Sequence, residues 1–247
     1  MFQKTVIWAH RGASGKAPEN TLAAFGLAEL DGADGIELDV RMTADGVPVV
    51  MHDATLDRTT DDSGLLALRS LADLAGVDAG RWFGPQFAKE SVPTLEQVLC
   101  QIQDRMLLNI EIKEFAAGVA VKRLLKRHAR CRVLISSFDH AVLQALHLDA
   151  PELFLGYLSE DADWDRLIET AVANRAVSFH PRQDRIVAEQ VELCHARGLK
   201  IFPWVVDEKK RAMTLLEMGV DGLFTNEPGS LRRWLAGVAS SQGVPSR

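Results

Sequence analysis

The sequence predicts an α/β fold: a distorted (β/α)8 TIM-type barrel with a hairpin strand after its second strand and a small cap insertion. Three observations lead there. Short apolar runs alternate with longer segments whose apolar residues recur every three or four positions, as strands alternate with helices around a parallel sheet. Nine runs occur, but Asp45-Gly46 between the second and third is a strong hairpin signal, which leaves eight parallel strands. The 247 residues then suit one eight-stranded barrel, which typically takes about 250.

In chain order, TVIWAH (5–10) forms the first strand and ends in His10-Arg11 and the flexible GASG, before the helical NTLAAFGLAELDG. GIELDV (35–40) and VPVVMH (47–52) flank the hairpin, and a two-residue turn at Asp45-Gly46 sets Asp39 opposite His52. Residues 54–92 then break the rhythm with DRTTDDSG, a helix-like SLADL and GRWFGPQF. So long a connection predicts a cap or lid, in which Trp82 and Phe83 either close over substrate or anchor the insertion. The pattern resumes with TLEQVLCQI, MLLNIEI (106–112), RVLISS (132–137), AVLQALHL, LFLGYL (153–158), AVSFH (176–180) and RIVAEQVELCHARG. KIFPWVV (200–206) and GLFTN (222–226) complete the barrel. No low-complexity linker or charge block divides the chain, so residues 1–247 read as a single domain containing the insertion.

Composition narrows the partners. A net charge of −6 argues against general affinity for nucleic acid or anionic membrane. No stretch approaches a membrane span, and the apolar run Val6 to Ala9 is too short for a secretory signal, so a cytoplasmic location is expected. Cys100, Cys131 and Cys194 are too few and scattered for a disulfide framework and are expected to be buried structural thiols. The tail after Trp234, ending SSQGVPSR, is expected to fray. Nothing in the sequence fixes an oligomeric state.

Chemistry concentrates at the strand ends, where barrel active sites lie. Glu37 and Asp39 are two apart on one strand and project to the same side; Glu111 and Lys113 repeat the arrangement after MLLN. Three carboxylates converging at a barrel mouth repel one another unless a cation sits among them, and an all-oxygen ligand set suits Mg²⁺ or Ca²⁺. The competing reading is a salt-bridge cluster built with Lys113 and Arg41. His10 and His52 end two strands beside this group, where one imidazole can take a proton and the other give one. Arg11 and Lys113 supply fixed positive charge for a phosphate. Together these parts describe phosphoryl transfer.

The motifs HRG (10–12), PENT (18–21), ELD (37–39), HD (52–53), VPTLEQVL (92–99), NIEIK (109–113), SSF (136–138), PWVVD (203–207) and GVDGLFTNEP (219–228) occur in an order and spacing that resemble the glycerophosphodiester phosphodiesterase family nearly end to end. The resemblance implies a distorted barrel with Glu37, Asp39 and Glu111 as ligands to Mg²⁺ or Ca²⁺. His10 and His52 would be the acid/base pair, and Arg11 and Lys113 would hold the phosphate. Glu19 and Asn20 would orient the His10-Arg11 segment from behind or cap the next helix, Asn20 taking the capping role. Trp204 would wall the glycerol pocket, with Phe138 beside it. The final segment would close the barrel, with Asp221 and Asn226 in turns. The family often has WTVN where this chain reads Trp204-Val205-Val206-Asp207, a departure that bears on the pocket rim or on a bond behind the site, and on substrate preference more than on the chemistry. The implied reaction is metal-dependent hydrolysis of small glycerophosphodiesters to glycerol 3-phosphate and an alcohol. Two alternatives are a related barrel phosphodiesterase acting on lysophospholipids or inositol lipids, and a non-catalytic glycerol-phosphate binding protein.

Overall fold

The computed structural model describes residues 5–160 and 164–241; of the tail expected to fray after Trp234, residues up to 241 continue a helix and 242–247 lie outside the described residues. The strands are β1 (Val6–Ala9), β2 (Gly35–Met42), β3 (Pro48–Val50), β4 (Leu107–Ile112), β5 (Arg132–Ser137), β6 (Phe154–Ser159), β7 (Ser178–Pro181), β8 (Lys200–Ile201) and β9 (Gly222–Thr225). The helices are α1 (Leu22–Leu30), α2 (Leu95–Ile102), α3 (Ala117–Arg127), α4 (His140–Asp149), α5 (Trp164–Ala173), α6 (Ala188–Ala196), α7 (Lys209–Glu217) and α8 (Pro228–Ser241).

Eight strands run parallel in the order β8-β7-β6-β5-β4-β2-β1-β9, and β3 pairs antiparallel with β2. The seam between β8 and β9 has no regular ladder, because Pro203 has no N–H to donate where β8 would continue. It is bridged instead by Asp221 N to Ile201 O (3.0 Å), Phe224 N to Pro203 O (2.9 Å) and Val206 N to Phe224 O (2.8 Å), which nearly close the barrel.

The two-residue periodicity of each strand sorts side chains into two layers. Outward-facing Ile7, Ile36, Leu38, Leu108, Ile110, Ile135, Phe179 and Leu223 meet the helices in one large apolar cluster. Inward-facing Val6, Trp8, Leu107, Leu134, Phe202 and Phe224 fill the lower barrel. Trp8 lies against Phe224 and Phe202 with ring centroids 5.8 and 5.9 Å apart, so aromatic rings form a floor. Gly35 makes room for that floor, since a Cβ there would sit 2.5 Å from the Trp8 ring. One pleat higher, the inward positions become polar and the site begins.

Three local expectations are corrected. The hairpin pairs Val40 with Val50 and Arg41 with Val49, and Met51 N bonds Asp39 O at 2.9 Å, so Met51 rather than His52 lies opposite Asp39. The turn has three residues, closed by Thr43 N to Val47 O, and Gly46 at φ +77° supplies the left-handed third position. Thr21, not Asn20, caps α1 by accepting from Ala24 N. SLADL makes a turn in which Asp73 accepts from Ser70 N at 2.8 Å, because a helix needs more than one turn to repay its nucleation.

The insertion carries its own apolar cluster of Leu56, Leu66, Leu74, Val77, Ala79 and Val92, packed on Val49 and Met51 of the hairpin arm. Trp82 bonds Ala79 O through Nε1 and packs edge-on against Phe83 (5.6 Å between centroids). Of the three thiols only Cys194 is buried; Cys131, in the turn before β5, is half-buried and Cys100, on α2, is exposed, because apolar sequence neighbours do not determine which way a side chain points. Among the described residues, no helix is long and apolar enough to cross a membrane.

Candidate active site

Parallel pairing of β2 with β4 sets Asp39 beside Glu111 and Glu37 beside Asn109, all on the inward face. Glu37, Asp39 and Glu111 are buried, and each offers an oxygen within 4.8 Å of the others. Burial and the neighbouring carboxylates push Glu37 well above the usual range. Burial and Asp39 raise Glu111 to about 7. Burial would lift Asp39 too, but Lys113 and Arg11 hold it far below that range. Oε1 of Glu37 is buried and meets no hydrogen-bond donor among the described residues. Three carboxylates against two cations leave a surplus negative charge, and a hard divalent ion fits both the charge and the oxygen donors.

The two cations are placed by different means. Lys113 follows β4 and reaches Asp39 Oδ1 (3.1 Å) and Glu111 Oε1 (2.5 Å). Arg11 has φ +56° and Gly12 φ +82°, a bend tight enough that a Cβ on Gly12 would lie 2.7 Å from Ala24. This bend turns Arg11 N onto Glu37 Oε2 (2.8 Å), while the guanidinium donates to Glu19 (2.8 Å) and lies 3.4 Å from Asp39 Oδ2. Asn20, also left-handed at φ +59°, donates through Nδ2 to Asp39 Oδ2 (2.8 Å), so it serves Asp39 rather than the helix end. Arg41 donates to the His52 carbonyl (2.8 Å) and takes no part in the carboxylate cluster.

His10 and His52 line the same cavity with different partners. Nδ1 of His10 meets Asn226 Oδ1 at 2.8 Å; burial and the charge of Arg11 push this imidazole down to about 4. Nδ1 of His52 meets Asp53 Oδ1 at 2.6 Å, and burial lowers His52 as well. Arg58 of the insertion donates to Asp53 (2.6 Å) and through both terminal nitrogens to Glu19 (2.8 Å each). One arginine thus ties the support of His52 to the support of Arg11.

The cavity, about 240 Å³, is lined by His10, Arg11, Glu37, His52, Glu111 and Lys113 on one side. Phe138 and Trp204 face them as an edge-to-face pair 5.6 Å apart, with Val205 and Glu160 at the rim and Phe224 below. Neither Trp82 nor Phe83 lines it.

A profile of the glycerophosphoryl diester phosphodiesterase family matches residues 10–230. The chain belongs to that family. As a member it is a phosphodiesterase that hydrolyses glycerophosphodiesters. It is 42% identical over 238 residues to the glycerophosphodiester phosphodiesterase of Caldanaerobacter subterraneus subsp. tengcongensis, covering 92% of this chain and 96% of that one. It is 35% identical to the Bacillus subtilis enzyme of the same name, over 89% of this chain and 83% of that one. Among solved structures, an Oleispira antarctica phosphodiesterase in complex with the product sn-glycerol-3-phosphate superposes with a TM-score of 0.88 at 32% identity, over 95% of this chain and 97% of that one. The Thermotoga maritima glycerophosphodiester phosphodiesterase gives 0.78 at 27%, over 94% and 99%.

Of the residues singled out in the sequence of this phosphodiesterase, His10, Arg11, Glu37, His52, Glu111, Lys113, Phe138 and Trp204 line the cavity, and Asp39, Glu19 and Asn20 lie behind it, bonded to those groups or to one another. Not foreseen were the roles of Asp53 and Arg58, which support His52, and the contact of Asp207, flagged only as a departure, with Asn226 behind His10. The HD dipeptide did hint at the first pair; residues 207 and 226 meet only because β8 and β9 are neighbours.

Proposed function

We propose that Glu37, Asp39 and Glu111 hold one Mg²⁺ or Ca²⁺ ion, that Arg11 and Lys113 bind the phosphate, and that His10 and His52 move the protons. The products are glycerol 3-phosphate and a small alcohol. Once bound, the ion supplies positive charge to the phosphate oxygens as the diester is attacked.

The two imidazoles divide the work by their partners. His10 faces a neutral amide in a buried setting that keeps it unprotonated near neutrality, which suits a base. Of the two, it is His52 that bonds a carboxylate, Asp53, which offsets part of the lowering by burial and makes this imidazole the better suited to be the acid that releases the alcohol. Asn20 and Glu19 orient Asp39 and Arg11 from behind. Trp204 and Phe138 form the apolar wall against which the glycerol carbons pack. Residues 54–92 act as a cap within one catalytic domain spanning 1–247. We place the enzyme in the cytoplasm, a reading supported by its three free thiols.

The observation that carries this reading is the meeting of three buried carboxylates and two imidazoles around one cavity. The test is glycerol 3-phosphate release from glycerophosphocholine and glycerophosphoethanolamine with Mg²⁺, Ca²⁺ or chelator. Metal-dependent turnover that disappears in Glu37→Ala supports the site. Full turnover by Glu37→Ala, with the protein folded, removes the ion from the carboxylates.

A further inference from the structure

We infer that Asp207 is a positioning residue for His10: it locks the Asn226 amide in one orientation, which keeps the His10 proton on Nδ1 and leaves Nε2 free. The inference rests on the reading of His10 as the base.

The argument follows from which atoms can donate. An ionised carboxylate only accepts hydrogen bonds. Asp207 Oδ1 takes one from Thr225 Oγ1 and one from Asn226 N, both at 2.8 Å, which fixes the carboxylate across the seam between β8 and β9. Its Oδ2 lies 2.6 Å from the Asn226 side chain, so the atom facing it there must be the amide nitrogen. The amide oxygen is therefore turned the other way, toward Ser14 Oγ and His10 Nδ1, each at 2.8 Å. An amide oxygen accepts and cannot donate, so Nδ1 of His10 carries the hydrogen. Ser14 Oγ also lies 2.7 Å from the His10 carbonyl, and its single hydrogen is shared between that oxygen and the amide oxygen, so the firm donor to the amide oxygen is His10 Nδ1.

The opposite amide orientation would set two acceptors 2.6 Å apart and offer His10 a donor, moving its proton to Nε2. A base with its proton on the substrate side cannot accept another. Asp207 penalises that arrangement; without it, both orientations of the amide find partners.

The test compares Asp207→Ala with the double variant Asp207→Ala/Asn226→Asp, both metal-loaded. An aspartate at position 226 accepts at either oxygen and needs no orienting partner, so the double variant should recover the Nδ1–H placement that the single one loses. Nitrogen NMR of the His10 ring should show the Nδ1–H form in the parent, a mixture in Asp207→Ala, and Nδ1–H again in the double variant. In step, kcat should fall about tenfold in the single variant, with KM within about twofold; because a carboxylate at 226 also favours the imidazolium, the double variant is judged by its ring signal at a pH where His10 is neutral, not by kcat. An unchanged ring signal in Asp207→Ala, or a ring that stays mixed in the double variant, overturns the inference. Should Asp207→Ala not fold, Asp207→Leu and its double variant are read the same way. Because the ring signal is independent of turnover, a His10→Ala enzyme that stays active would sink the base assignment while leaving the proton placement standing.

Discussion

His10 and His52 end strands of opposite direction and present their rings to one cavity, so replacing either should remove one proton transfer and leave the binding groups in place. For His10→Ala and His52→Ala we expect kcat to fall by about 10²–10⁴-fold with small changes in KM; a loss confined to KM in steady-state assays would move them from proton transfer to binding. Glu111 gives a second prediction. Its pKa is about 7 in the fold against an ordinary 4.5, so between those values the folded chain keeps a proton that the unfolded chain has released. Stability of the metal-free enzyme should therefore decline as pH rises from about 4.5 to about 7, and Glu37, raised as well, adds to the same slope. Urea midpoints in chelator at pH 5 and pH 7.5, for the parent and Glu111→Gln, check this. A decline as steep in the variant as in the parent would count against Glu111. The carboxylates and imidazoles were legible in the sequence because charged residues two apart on an apolar strand demand a reason. Asn226 and Asp207 were not, since each looks like an ordinary turn residue until the barrel closes.

At the level of elements, the hairpin and the insertion act together. The number of strands was readable from Asp45-Gly46, but the register was not. A three-residue turn and a two-residue turn share the same signal and both hold Gly46 left-handed; they differ in Asp45, which is not left-handed here, and in the closing bond from Thr43 N to Val47 O. As a result His52 stands one residue beyond the ladder, and Asp53 and Arg58 must support it. Arg58→Ala should break both the Asp53 and the Glu19 contacts and lower kcat about tenfold, while metal affinity stays near the parent value because no ligand is touched. Since Arg58 is largely exposed, the loss of stability should stay below about 1 kcal/mol. Calorimetric metal titration beside steady-state kinetics separates these effects; a large drop in metal affinity would contradict the assignment. Thr21→Ala, which removes the cap of α1, is the contrasting case: about 1 kcal/mol of stability and little change in kcat, read by thermal melting.

Across the whole molecule, layering was the most legible feature, because period-two alternation separates the helix-facing residues from those inside the barrel. What alternation cannot foretell is where the ring fails to pair, and that depended on Pro203, two residues past β8. The acidic cluster makes metal binding a property of the entire fold: at 100 times its Kd, an ion that binds only the folded chain adds about 2.7 kcal/mol. Melting curves with and without Mg²⁺ or Ca²⁺ should therefore diverge, and Glu37→Ala should abolish the difference.

The aromatic floor of Trp8, Phe202 and Phe224 has a kinetic meaning. A barrel stopped at one end has a single doorway, so the phosphomonoester left after each turnover must back out along the path by which the next diester arrives. Departing and incoming molecules exclude each other, and the enzyme should slow as its own product accumulates, in a way that more substrate reverses.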